Sequence, residues 1–134
     1  MNLAASIQER VKGMLPELLG MQFTEVTPEH AVATLLVRPD LCTAGGILHG
    51  GSIMAFADTL GAVATLVNLP EGARTVTIES KTNFIGGAPV GSTVLGEATA
   101  VHKGHTTMVW QTHVRSDAGK LIALVTQTQM VIRP

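Results

Sequence analysis

Residues 46–67 read GILHGGSIMAFADTLGAVATLV, a helical stretch that is apolar on nearly every side and carries one carboxylate, Asp58. A helix of this kind has to be enclosed, because no face of it is polar enough to be left in water. The residues after it indicate what encloses it. Pro70-Glu71-Gly72 turns the chain and the pattern changes to period two. Val76, Ile78, Ser80, Thr82 and Phe84 then fall on one side of a strand, and Thr75, Thr77, Glu79, Lys81 and Asn83 on a second side that is polar throughout. Three more strands are predicted over residues 92–103, 106–116 and 120–132, parted by turns at Gly104 and at Asp117-Ala118-Gly119, as an antiparallel meander. Strands of about eleven residues are twice the usual ~5–6. They rise ~36 Å against ~27 Å for a helix of about eighteen residues, so one sheet is long enough to wrap the helix. Ala55, Ala57, Gly61, Ala62 and Ala64 would let the strands come close.

Ahead of that helix the elements are shorter. Residues 4–14 predict a helix with Ile7, Val11 and Met14 on one face, and Pro16 and Gly20 break the pattern. Residues 23–26 and 31–37 predict a hairpin around Thr27-Pro28-Glu29, ended by Pro39. Residues 41–48 are a loop that bends at Gly45-Gly46. No repeat or low-complexity segment interrupts the 134 residues, which are expected to form one domain over 1–134.

Composition narrows the function. Hydrophobic residues make up 46% and charged ones 14%, against roughly 25% charged in an average soluble chain, which predicts self-association. A net charge of −1 without a Lys/Arg run argues against nucleic-acid binding. Residues 1–15 include Gln8, Glu9, Arg10 and Lys12, unlike a secretory signal, so a cytoplasmic location is expected. Residues 53–69 approach the ~20 needed to span a bilayer, but Asp58, Asn68 and several Gly and Thr residues read better as a helix buried in protein than in a membrane. Cys42 is the only cysteine, which excludes an internal disulfide and any multi-cysteine zinc site.

Three catalytic motifs are approached and missed. Residues 45–52 fit a phosphate-binding loop except that Gly51 stands where the lysine should be. Gly50-Gly51-Ser52-Ile53-Met54 resembles a nucleophile elbow, but Met54 replaces its second glycine. No G-x-G-x-x-G follows a strand, so a dinucleotide site has no support. Of the histidines only His102-Lys103-Gly104-His105 cluster, in a turn without a third ligand, so no metal is expected. Cys42 has no cationic neighbour to activate it.

Asp58 is the exception. Its plain reading is a surface carboxylate or a partner for Arg74 or Lys81. Yet the ten residues on either side hold no other charged group, and burying a carboxylate costs several kcal/mol unless it is satisfied. Such positions are commonly functional. His49-Gly50-Gly51 begins the helix, where N–H groups lack partners, the macrodipole is positive and two glycines admit a substrate carbonyl to the backbone. Gly50 and Asp58 are eight residues apart, ~12 Å along one helix, too far to act on one carbonyl carbon within one chain. Two chains would have to meet.

These segments, GILHGGSIMAFADT, TIESKTNF, PVGS and the HKGH…SDAGKLIA hairpin, resemble the hotdog-fold acyl-CoA thioesterases of the phenylacetate-pathway (PaaI-like) and 4-hydroxybenzoyl-CoA branch. The likeness covers roughly residues 23–131. It implies an α+β hotdog fold, a long helix wrapped by a curved antiparallel sheet, assembled as a homodimer or homotetramer. It also implies hydrolysis of an acyl-CoA thioester with an aryl or medium-chain acyl group, and no cofactor beyond the coenzyme A of the substrate. The Gly50 N–H would polarise the carbonyl, Asp58 of the neighbouring subunit would act as nucleophile or as base for water, and His49 would hold the turn. Substrate contacts are implied for Gly51, for Thr77 beside the acyl group, and for Phe84 and the turn His102, Lys103, Gly104, His105 and Thr106 along the pantetheine arm and nucleotide. The chain departs from the family at Thr43, where Asn or Gln is usual and where the threonine is expected to contact substrate through one donated hydrogen bond, and at Gly86-Gly87, where Arg-Pro is frequent. A non-catalytic acyl-CoA-binding module on the same fold is the rival reading. A hydratase fits less well, since no paired Asp and His follow the helix start.

Overall fold

The computed structural model describes residues 2–134. Two short helices come first, α1 (Leu3–Arg10) and α2 (Leu15–Leu19). The Asn2 side chain caps α1 by accepting from the Ala5 N–H at 2.8 Å. The single helix expected over residues 4–14 stops early, because the chain passes through a left-handed glycine at Gly13 (φ 77). Pro16, expected to break the pattern, instead lies in the first turn of α2, where its missing N–H costs nothing, and Gly20 (φ 85) closes that helix.

The remaining elements are β1 (Gln22–Val26), β2 (His30–Leu36), a 3₁₀ turn (Pro39–Leu41), α3 (Gly50–Leu66), β3 (Arg74–Phe84), β4 (Thr93–Lys103), β5 (Thr107–Ser116) and β6 (Leu121–Ile132). The strands form one six-stranded antiparallel sheet in the order β1-β2-β4-β5-β6-β3. Only β4-β5-β6 is the expected meander, because the tight turns at Gly104 and Gly119 force neighbours there. The longer connection over residues 85–92 instead crosses at the start of α3, where Leu48 N–H donates to Ala88 O and Val90 N–H to Gly46 O. Consequently β3 pairs outside β6 and forms an edge of the sheet.

The sheet curves around α3. Phe56, Ala57, Leu60 and Ala64 are fully buried, and each large apolar side chain so placed contributes roughly 1.5–3 kcal/mol. Gly96 of β4 is a point of close approach, since a Cβ there would lie 2.6 Å from both Leu60 and Phe56. Buried Trp110 donates its Nε1–H to Thr65 Oγ1 at 2.8 Å, and Thr65 donates on to Gly61 O at 2.9 Å. One flank of the helix escapes the wrap. Met54 is exposed, and Ala55, Asp58, Thr59 and Ala62 are half-buried, facing the β3 edge. No helix among the described residues is long and apolar enough to cross a membrane.

The face assignment expected for β3 does not hold along its whole length. The pairing with β6 shifts register between Thr77 and Glu79, and such a bulge exchanges the two faces of a strand. Thr75 and Thr77 therefore share the inner face with Ser80 and Thr82, while Val76 and Ile78 are exposed.

Candidate active site

The loop before α3 folds back on itself and fixes where the helix starts. Thr43 N–H donates to Ile47 O at 2.8 Å, Cys42 bridges Leu48, and His49 N–H donates to Leu41 O at 2.9 Å. His49 is then the N-cap. Its Nδ1 accepts from the Gly51 N–H at 2.7 Å, so the ring's proton lies on Nε2. That bond uses the Gly51 N–H and leaves the Gly50 N–H without a partner among the described residues. The ring of Phe84 stands against Gly50, where a Cβ would come within 3.0 Å of it.

Two turns along the helix, Asp58 faces a cleft of about 310 Å³ between α3 and the β3 edge, lined by Met54, Ala55, Asp58, Thr77 and Ser80. Thr77 Oγ1 donates to Asp58 Oδ1 at 2.6 Å. Among the described residues no ion pair includes Asp58, and Lys81 donates instead to Asn83 Oδ1. The ion-pair alternatives with Arg74 and Lys81 are therefore absent. A carboxylate half-open to a cleft, with one oxygen held and no counter-cation, can attack an electrophile or accept a proton from water.

The structure joins some of the expected residues and separates others. It brings Thr77 to Asp58, His49 to Gly51 and Phe84 to Gly50. Thr43 is exposed in its loop. The turn from His102 to Thr106 lies at the far end of α3. Lys103 Nζ donates to Pro28 O at 3.3 Å and pairs with Glu29 at 3.8 Å, and Asn68, just beyond α3, donates to the same Pro28 carbonyl. Arg133 reaches His105 O and Val131 N–H reaches Thr106 O. Ser52 donates its hydroxyl to Leu41 O at 2.9 Å, and Cys42 donates to Arg38 O. Both are occupied away from the cleft. No group of three metal-ligating side chains occurs among the described residues.

Gln127 and Gln129 escaped the sequence reading. Both are fully buried on β6, and Gln129 Nε2 donates to Thr77 Oγ1 at 2.6 Å. Their signal was two carboxamides on the inner parity of a strand that otherwise buries Ala123, Val125 and Val131.

Comparison with known proteins assigns the family. The thioesterase superfamily profile matches residues 45–123. Over 122 residues the chain is 34% identical to a Vibrio cholerae protein named as a candidate esterase, covering 91% of this chain and 81% of that one. The structure of a mutant thioesterase from Pseudomonas aeruginosa superposes with a TM-score of 0.91 at 27% identity, covering 96% of this chain and 93% of that one. A Streptococcus mutans protein bound to acetyl CoA superposes with a TM-score of 0.78 at 25% identity, covering 85% and 91%. The chain belongs to the thioesterase superfamily and is a thioester hydrolase of the hotdog fold.

Proposed function

We propose that this chain hydrolyses an acyl-CoA thioester to the free acid and coenzyme A, with Asp58 as the attacking or water-activating group. The observation that carries the reading is the Asp58 carboxylate itself, held through one oxygen by Thr77 and facing the cleft with no counter-ion among the described residues. Such a carboxylate either adds to the thioester carbon, giving an anhydride that water then opens, or takes a proton from the water that adds. The electron pair of the breaking C–S bond leaves with the thiolate of coenzyme A. The acetyl CoA bound to the Streptococcus mutans protein supports the choice of thiol, and a coenzyme A substrate suits a cytoplasmic enzyme.

The negative charge that develops on the carbonyl oxygen needs a donor, and the unpartnered Gly50 N–H of a second copy supplies it. Thr77 marks the Asp58 end of β3 and Phe84 the Gly50 end. Two β3 edges paired antiparallel about a point near residues 80–81 would set each Asp58 beside the other copy's Gly50. The exposed edge residues Val76, Ile78, Phe84 and Ile85 would be covered by the same contact. The turn from His102 to Thr106 is assigned to the nucleotide end of the substrate, and Thr43 and Gly51 to the approach to the helix start.

Asp58→Asn and Asp58→Ala test the assignment, with aryl-, phenylacetyl- and fatty acyl-CoAs followed by a thiol reagent. Turnover should fall by ~10²–10⁴, the range for losing a general base. Asparagine can still accept from Thr77, so the melting temperature should hold or rise; losing half of a buried ion pair would instead cost ~3–5 kcal/mol. Normal hydrolysis by Asp58→Asn would remove Asp58 from the chemistry and favour a non-catalytic role for the carboxylate.

A further inference from the structure

A chain of hydrogen bonds, buried at Gln127 and exposed at Thr77, leads from the backbone of α3 back to Asp58, and its direction is fixed at one end. The Ala57 carbonyl can only accept, and Gln127 Nε2 donates to it at 3.0 Å. That orients the Gln127 amide and turns its Oε1 toward β6, where it accepts from Gln129 Nε2 at 2.9 Å. The second proton of the same nitrogen goes to Thr77 Oγ1 at 2.6 Å, and the single Thr75 hydroxyl proton is within reach of both Gln129 Oε1 at 3.0 Å and Met130 O at 2.9 Å. Thr77 has one proton of its own. Since its oxygen already accepts from Gln129, that proton is directed to Asp58 Oδ1.

Turning over either amide would set two oxygens or two N–H groups against each other where Gln127 and Gln129 are fully buried. The fold also makes room for the chain of bonds. Gly61 of α3 faces the Gln127 carboxamide so closely that a Cβ would collide with it. Apolar residues at positions 127 and 129 would pack there without burying two amides, as Val125 and Val131 do on the same strand.

We infer that Gln127 and Gln129 are positioning residues that commit the Thr77 proton to Asp58, so that one carboxylate oxygen is held and the other is presented to the thioester. This rests on Asp58 being the reacting carboxylate. Without Gln129 the Thr77 hydroxyl is free to rotate, its lone pairs can face Asp58, and the carboxylate loses its anchor.

The test is a double-mutant cycle on the full-length protein, with kcat, KM and melting temperature measured for Gln129→Met, Thr77→Val, their combination, Thr77→Ser and Asp58→Asn. Gln129→Met should lower kcat by about tenfold, the effect of one hydrogen bond to a charged group, while KM changes by less than about twofold. Thr77→Val should lose at least as much, and Thr77→Ser should retain activity within about threefold because the proton is kept. In the Thr77→Val background Gln129→Met should cost less than about twofold, since the proton it directs is already gone. Should Gln129→Met fail to fold, Gln127→Met takes its place in the cycle with a smaller loss expected. Wild-type kcat in Gln129→Met, or a further tenfold loss on top of Thr77→Val, would overturn the relay while an inactive Asp58→Asn left the site assignment standing. An active Asp58→Asn would overturn both.

Discussion

Gly50→Pro removes the one N–H that the proposed site needs and puts a ring carbon in its place. Gly50 is the first residue of α3, the position where proline fits best, and its N–H makes no bond among the described residues. The preceding residue also suits it, because His49 has φ −62° and ψ 139°, the extended conformation favoured before proline. A compatible proline stabilises by ~0.4–1 kcal/mol through the unfolded state. Against this, the new Cβ would stand 3.0 Å from the Phe84 ring, which has to give by a few tenths of an ångström. The two effects nearly cancel, so the melting temperature should stay within ~2–4 °C of wild type, the shift expected for about 1 kcal/mol in a domain of this size.

Activity should respond very differently. Losing one donor to a developing oxyanion costs ~10²–10³ in kcat. Gly50→Ala is the control, since it adds the same Cβ and keeps the N–H. The ratio between the two variants therefore removes the effect of the Cβ and reports the lost N–H together with the ring carbon that takes its place. Refolding an equimolar mixture of Gly50→Pro and Asp58→Asn goes further. Half of the dimers are then mixed, and one of the two sites in each joins an intact Gly50 to an intact Asp58, so about a quarter of wild-type turnover should return. Gly50→Pro as active as Gly50→Ala would refute the role of the N–H, and no recovery on mixing would refute a site shared between copies.

Gly61→Ala sets about 1 kcal/mol of helix propensity against a Cβ that displaces the Gln127 carboxamide and its two bonds, each about 1 kcal/mol. Net destabilisation of ~1–3 kcal/mol with reduced kcat is expected by denaturant titration and turnover, and a stabilised, fully active variant would show that the carboxamide is free to move. Ser52→Ala and Cys42→Ser should each keep hydrolysis within about twofold, because both side chains bond loop carbonyls away from the cleft; loss of activity in either, with fold and assembly intact, would identify a different nucleophile.

The long helix and its enclosure were legible because residues 53–66 offer no polar face and the strands that follow are long. The helix start was legible because the consecutive glycines at 50 and 51 have few other uses ahead of an apolar helix. What escaped depends on contacts between distant segments. The bulge beside Ile78 carries no glycine or proline to mark it, so alternation set Thr77 on the side opposite Ser80 and Thr82, although the structure puts all three on one face, with Thr77 against Asp58. The placing of β3 outside β6 follows from where residues 85–92 cross, which no local pattern encodes. Pro16 was ambiguous in principle, since the same missing N–H ends one helix and begins another. The glutamines of β6 acquire their meaning only from Gly61 and Ala57 opposite, some seventy positions earlier in the chain.

The position of β3 also explains how an aspartate is tolerated in so apolar a helix. Set on the buried face, beside Phe56 or Leu60, its charge would cost several kcal/mol with no partner near. On the flank toward the β3 edge it keeps access to water through the cleft and takes a strong bond from Thr77. A second copy closing on that edge would remove much of this water, so whatever covers Asp58 must not add negative charge. In the proposed dimer the start of the other copy's α3 would meet that requirement. It would bring the positive end of a helix, a Gly50 N–H without a partner among the described residues, and glycines with no side chain to keep the substrate away. The contact between the two β3 edges would then also supply the charge stabilisation the reaction needs, and a monomer would have the carboxylate but not the donor.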